Sequence, residues 1–235
     1  MKITTVMFDL DGTLLPMDQD TFIKHYFGLL AKKLVPYGYE PEKLMAAIGT
    51  GTKAMVNNRG IETNEAVFWK TFDKCFGYPA SRDAQVHMDF YRNEFNQVKE
   101  ICGFAPMAAQ IVRTLKNRGF RVILATNPLF PSVATENRIR WAGLEPEDFD
   151  YFTTYENARY CKPNPDYYWE ILSKFRLTPR QCVMVGNDVL EDMVAQKLGM
   201  QVFLLTDCLI NKENADISQY PHGDFSDLAS FLNNI

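Results

Sequence analysis

Apolar positions recur along the chain in two rhythms, and the change between them divides it. Ile3 to Phe8 is a near-continuous run of β-branched and aromatic character, the pattern of a buried first strand. From residue 17 to about 98 the spacing is helical instead. Phe22, Tyr26, Phe27, Leu29, Leu30 and Leu34 share one face, and Pro36-Tyr37-Gly38 ends that segment. Pro41 starts a second helix through Leu44, Met45 and Ile48, which Gly49-Thr50-Gly51-Thr52 is expected to break. A third helix is expected from Thr63-Asn64-Glu65 and a fourth from about Ser81 to Val98. The stripe Phe68, Trp69, Phe72 and Phe76 reads as the core of a small helical bundle, not as a ligand platform.

From Ala105 onward helix and strand alternate. An amphipathic helix through Met107, Ile111, Val112 and Leu115 ends at Gly119, and Phe120 to Ala125 is an apolar strand. A helix from about Pro131 to Trp141 precedes a short strand, Tyr151-Phe152-Thr153-Thr154. Pro165 opens the next helix, Cys182 to Val185 is a fourth strand, and a helix runs from Leu190 to Leu198. Val202 to Leu205 is a fifth strand, with a last helix near Phe225 to Leu232. Such alternation builds an α/β fold, a parallel sheet with helices on both faces.

Composition narrows the class. The chain has 235 residues, 46% of them hydrophobic and 13% aromatic, enough for one sizeable core plus an inserted module. Lys and Arg number 25 against 29 Asp and Glu, a net charge of −4, which gives no support for a nucleic-acid or anionic-membrane partner. No apolar run approaches the ~20 residues that span a bilayer. The first residues lack a signal peptide's apolar stretch and enter a strand at once. Five scattered cysteines have no paired metal spacing and read as reduced thiols of a cytoplasmic protein. The three histidines are equally scattered, which argues against a zinc site and against a Ser-His-Asp hydrolase.

Charge then appears where the chain should be core. Asp9 and Asp11 follow the first strand two residues apart, and positions two apart on an extended strand point the same way. Gly12 permits a sharp exit and leaves its backbone N–H open to an anion. Two carboxylates so placed need a cation or a shared proton, unless Asp and Gly merely make a tight turn. Other polar groups fall at later strand ends, where ligands of open parallel sheets bind. Thr126 offers a hydroxyl and Asn127 a backbone N–H, both suited to a phosphoryl oxygen, although a simple strand-to-helix turn would look similar. Lys162 stands in Lys162-Pro163-Asn164-Pro165, held between prolines at a helix start and suited to a dianionic phosphate. Asp188 and Asp192 are four apart, neighbours on one face once a helix begins, and their hard oxygens suit Mg²⁺. Glu191 reads as an acidic first-turn residue that complements the helix dipole.

These four pieces, in this order, resemble the four motifs of the haloacid dehalogenase superfamily, whose members are mostly phosphatases. The resemblance covers residues 1–16 and 99–235 as the α/β core, and residues 17–98 resemble that family's C1 type of helical cap. It implies a Rossmann-like sheet of five parallel strands in the order 5-4-1-2-3. It also implies Asp9 as nucleophile, Asp11 as acid and base, and Thr126, Asn127, Lys162 and Gly12 around the phosphoryl group. Mg²⁺ is implied at Asp9, the Asp11 backbone carbonyl and Asp188, with Asp192 as a second ligand or outer partner. One departure stands out: many relatives carry an acid directly after the glycine of the fourth motif, where this chain has Asn187.

Asp11 favours phosphoryl transfer over dehalogenation, because a halide leaves without a proton and the dehalogenase branch generally lacks this acid. The implied enzyme is a Mg²⁺-dependent phosphatase of small phosphorylated molecules. A phosphomutase, a haloacid dehalogenase and a non-catalytic binding module are the alternatives. Lys53 and Arg59, beyond the glycine pair, read as solvated surface. The leaving group and the oligomeric state are not legible at this level.

Overall fold

β1 (Thr5–Phe8) lies at the centre of the computed structural model, which describes residues 2–235. Its neighbours are β2 (Arg121–Leu124) and β4 (Cys182–Gly186), both parallel to it. β3 (Tyr151–Phe152) extends the sheet beyond β2, and β5 (Gln201–Leu205) extends it beyond β4. The order 5-4-1-2-3 is therefore found, lengthened by a sixth parallel strand. This is β6 (His222–Gly223), paired with β5. Two residues without an apolar pattern leave no periodicity from which β6 could be foreseen.

Side chains alternate between the faces of the sheet, as the pleat requires. Val6, Phe8, Val122, Leu124, Val183 and Val185 enter one apolar cluster, together with α5 (Pro106–Asn117) and α8 (Phe225–Asn233). Met7, Ile123, Met184 and Leu204 enter the other, against α7 (Pro165–Phe175). With helices on both faces β1 and β4 are buried along their whole length. Phe8 is level with Leu124 on one side and Val185 on the other, so the residues after these three strands leave the sheet at one rim.

Between β1 and α5 the chain is helical. α1 (Gln19–Leu34) begins where Asp18 accepts a hydrogen bond from the Thr21 N–H, and α3 (Asn64–Phe76) where Thr63 does the same for Ala66. α2 (Pro41–Val56) runs unbroken through Gly49-Thr50-Gly51-Thr52, against the expectation of a break. Packing overrides propensity there. A Cβ on Gly51 would lie 2.7 Å from the Phe68 ring, so the glycine lets α2 and α3 approach closely. The expected fourth helix is split into α4 (Ala84–Arg92) and a 3₁₀ stretch, Glu94–Ile101, because Asn93 leaves helical geometry. The helix expected over Leu190 to Leu198 is likewise reduced to a 3₁₀ stretch, Met193–Leu198. α6 (Ser132–Trp141) completes the set beside the rim.

Candidate active site

Asp9 is the first residue past β1, and its backbone N–H still pairs with Val185 O at 2.9 Å. Its side chain is buried, and Lys162 Nζ lies 2.8 Å from Oδ1. The same ammonium donates to Asp192 Oδ1 at 2.6 Å, so one buried cation joins two buried carboxylates. Burial alone would favour the neutral amine of Lys162, but Asp192 and Asp9 outweigh it and hold the pKa well above the usual lysine value. One cation cannot fully compensate two buried anions. Burial pushes Asp192 up to about 7 against the pull of Lys162, and Asp9 adds to the rise.

The loops that bring these groups together are tied through one amide. Lys162 N–H donates to Asn127 Oδ1 at 3.2 Å, and Asn127 Nδ2 donates to Glu191 Oε2 at 2.9 Å. Three strand ends are thus linked by Asn127, and Glu191 has a structural partner where dipole complementation was expected. Burial raises the Glu191 pKa, with Lys162 acting against it. The Thr126 hydroxyl has no hydrogen-bond partner among the described residues, although its carbonyl accepts from Thr153 and Tyr167. Asn64, the buried first residue of α3, reaches the same loops. Its Nδ2 lies 3.3 Å from both Pro128 O and Cys161 Sγ.

Asp11 has a partner that the sequence did not point to. The Arg138 guanidinium, on α6, meets Asp11 Oδ2 in a short ion pair. Arg138 is itself buried, donates to Ala134 O and Thr135 Oγ1, and stacks over the Phe130 ring, 4.5 Å from its centroid. Burial raises the pKa of Asp11, Arg138 pulls it back, and Asp9 raises it further. Nothing in the helical pattern singles out Arg138 from Arg140, two residues on. The only signal is that it shares the buried face of Ala134 and Trp141, where an arginine needs a carboxylate partner.

Two expected contacts take another form. The Gly12 N–H already donates to Leu15 O at 2.8 Å and is not open to an anion. Gly12 is needed for shape instead: its φ is +82°, and a Cβ there would fall 2.3 Å from Asn187 Nδ2. Asp188 Oδ1 accepts the N–H groups of Leu190 and Glu191, so this carboxylate caps its own turn. Its Oδ2 accepts no hydrogen bond among the described residues, and Asn187 beside it faces the loop that follows β1. Thr13 Oγ1 lies 3.0 Å from Asn187 Oδ1 and 3.3 Å from Asp9 Oδ2, sharing one proton between them. Asp192 is engaged on both oxygens, by Lys162 and by the Asp188 N–H.

This donor set fits Mg²⁺ in a sparse form. Among the described residues no three His, Cys, Asp or Glu side chains form a metal cluster. Asp9 and the Asn187 side-chain oxygen are nevertheless two hard donors beside one hydroxyl, and buried Asp11 Oδ1 has no partner among the described residues. Mg²⁺ keeps several waters and needs one or two protein carboxylates plus substrate oxygens.

A strand-end aspartate pair, a buried lysine and a hydroxyl at one rim of a parallel sheet define a class of hydrolase. The haloacid dehalogenase-like hydrolase family model matches residues 3–198, most of the chain, and the chain belongs to that family. Among curated relatives it is similar to the pyrophosphatase PpaX of Bacillus cereus strain B4264, at 26% identity over 188 residues, 80% of this chain and 76% of that one. Among solved structures it resembles an HAD phosphatase from Thermococcus onnurineus, with a TM-score of 0.59, 18% identity and coverage of 99% and 98%. A 2-haloacid dehalogenase from Pseudomonas syringae pv. tomato DC3000 is equally similar in fold, with a TM-score of 0.61, 18% identity and 99% of each chain covered. The putative HAD-hydrolase YfnB of Bacillus subtilis, solved bound to magnesium, matches with a TM-score of 0.57 at 18% identity, over 99% of this chain and all of that one.

Proposed function

We propose that the chain is a Mg²⁺-dependent phosphatase of small phosphomonoesters that works through an aspartyl-phosphate on Asp9, with residues 17–98 acting as a cap. The observation that carries this is a buried Asp9 held by Lys162, with a second acid, Asp11, two residues on. An Asp9 carboxylate oxygen attacks phosphorus, and the ester oxygen leaves with the proton of Asp11. Water then attacks the phosphoryl group of the intermediate while Asp11 takes a proton back, which releases phosphate and restores Asp9. Lys162, the free Thr126 hydroxyl and the Asn127 N–H hold the phosphoryl oxygens. Asp9 and Asn187 would hold Mg²⁺, which would offset the repulsion between carboxylate and phosphate. Asp188, whose Oδ2 accepts no hydrogen bond among the described residues, would join them as a ligand, and Asp192, engaged on both oxygens, would support the site from behind.

The test is phosphate release from a panel of small phosphomonoesters and pyrophosphate, with Mg²⁺ and with a chelator. Turnover is expected only with Mg²⁺, and Asp9→Asn should lower it by about three orders of magnitude or more. A turnover insensitive to Asp9→Asn would contradict the assignment.

A second reading, hydrolytic dehalogenation, draws on the Asp11–Arg138 ion pair, because a guanidinium on Asp11 opposes the protonated form that an ester leaving group needs, and a departing halide needs no proton. Chloride release from 2-chloropropionate separates the two readings directly.

A further inference from the structure

A cavity of about 470 Å³ lies among α1, α2, α3 and α4, the volume of a site for a small organic molecule. Its wall is overwhelmingly apolar, and Trp69, Phe72 and Phe130 supply aromatic faces. The exposed residues Ile23, Gly49, Lys53 and Val56 mark its mouth. The aromatic stripe of α3 thus packs α2 on one side and faces open space on the other. Gly49 lines the same space, and a Cβ built there meets nothing within 4 Å.

One polar group stands in this wall without an answer. His87 is buried, and its Nε2 has no hydrogen-bond partner among the described residues. The hydroxyls of Tyr26 and Tyr91, also in the wall, bond to each other at 2.9 Å. Trp69 and Phe72 pack edge-on against the imidazole, with centroids 5.2 and 5.9 Å away, and fix its plane. Burial holds the His87 pKa down at about 4, with Asp83 opposing, so near neutral pH it presents an uncharged imidazole. A neutral imidazole in an apolar wall suits a hydroxyl or carbonyl and rejects a charged group.

The cavity shares a loop with the reactive rim. Leu129, Phe130 and Pro131 line it, and they follow Thr126 and Asn127 in the same loop. Phe130 lies beneath the Arg138 guanidinium, the group that also pairs with Asp11. We propose that this cavity receives the apolar, ring-bearing part of the phosphorylated substrate, with His87 hydrogen-bonding a single hydroxyl or carbonyl on that ring. The assignment of the occupant as substrate rests on the phosphatase reading; the affinity of the cavity for such a ring does not.

The probe is 2-naphthol, titrated against the full chain by calorimetry and by tryptophan fluorescence, with Trp69 the one tryptophan of three in the cavity wall. It is expected to bind the wild type and to bind Gly49→Leu, which fills the open space from a helical position, at least about tenfold more weakly. Thr52→Leu, on the next turn of the same wall, gives a second obstruction should the first variant fail to fold. His87→Leu should remove the preference for 2-naphthol over naphthalene while leaving naphthalene bound. In turnover, Gly49→Leu should lower kcat/KM for 2-naphthyl phosphate relative to glycerol phosphate by a similar factor. Failure of the wild type to bind 2-naphthol, or binding unaffected by either obstruction, overturns the inference whatever the phosphatase assay shows. A chain that binds naphthol in this way but releases no phosphate from any ester keeps the site and overturns only the phosphatase reading.

Discussion

With the guanidinium of Arg138 on one oxygen of Asp11 and burial opposing its charge, the ionisation of this carboxyl is set by two opposed forces. In the proposed reaction Asp11 first gives and then takes a proton, which requires it to sit between them. Removing the guanidinium leaves only the weaker pull of Lys162 against burial and Asp9, so the Asp11 pKa rises further in Arg138→Met. The limb of the kcat/KM profile that reports Asp11 should then move to higher pH, with a loss of about 10- to 100-fold at the optimum. An unshifted limb would mean that Arg138 is only structural. Asp9, Asp11, Thr126 and Lys162 were legible because each interrupts an apolar or proline-framed stretch with chemistry that such a stretch does not need. Arg138, Glu191 and Asn187 were not, because their roles exist only across the fold. Arg138 meets a residue 127 positions away, and Asn187 is opposed to Thr13 across 174.

At the scale of elements, the glycines of α2 separate local propensity from packing. Gly49 faces open space, so Gly49→Ala should stabilise the chain by about 0.5–1 kcal/mol through helix propensity alone. Gly51 faces the Phe68 ring, itself stacked on Phe72 at 5.6 Å. Gly51→Ala gains the same propensity but overpacks that contact, at a cost of about 1–3 kcal/mol. The pair should therefore move the urea midpoint in opposite directions, and a shift of the same sign in both would refute the close packing of α2 on α3. The alternation of helix and strand was legible from periodicity, down to the five-strand order implied by the resemblance. The continuity of α2 was not: a Gly-Thr-Gly-Thr run reads as a break unless the partner helix is known. β6 and the 3₁₀ stretches are too short to carry a period of their own.

At the scale of the molecule, the apolar core of the helical segment and that of one sheet face form a single cluster, from Phe22 and Phe90 to Leu124 and Val185. Folding buries His87 as a neutral ring against Trp69 and Phe72 at the edge of that cluster. Its pKa in the fold, about 4, lies below the ordinary 6.5. Below pH 6.5 the unfolded chain binds the additional proton, so the stability due to this group is intact above 6.5 and drains away as the pH falls toward 4. The loss approaches about 3 kcal/mol at the acid end. Urea melts between neutral pH and pH 4 should show a shallower decline in His87→Phe than in the wild type, and parallel curves would contradict the burial.

The proposed reaction unites these scales, because the loops linked by Asn127 and Lys162 and the Arg138 pair meet at the strand end that carries Asp9 and Asp11. The most direct test is to quench the protein during turnover of a phosphate ester and reduce it with borohydride, which converts an acyl phosphate to an alcohol. Peptide mass spectrometry should then find homoserine in place of Asp9, only when substrate is present and never in Asp9→Asn. Phosphate released at full rate with Asp9 unreduced would contradict the covalent account.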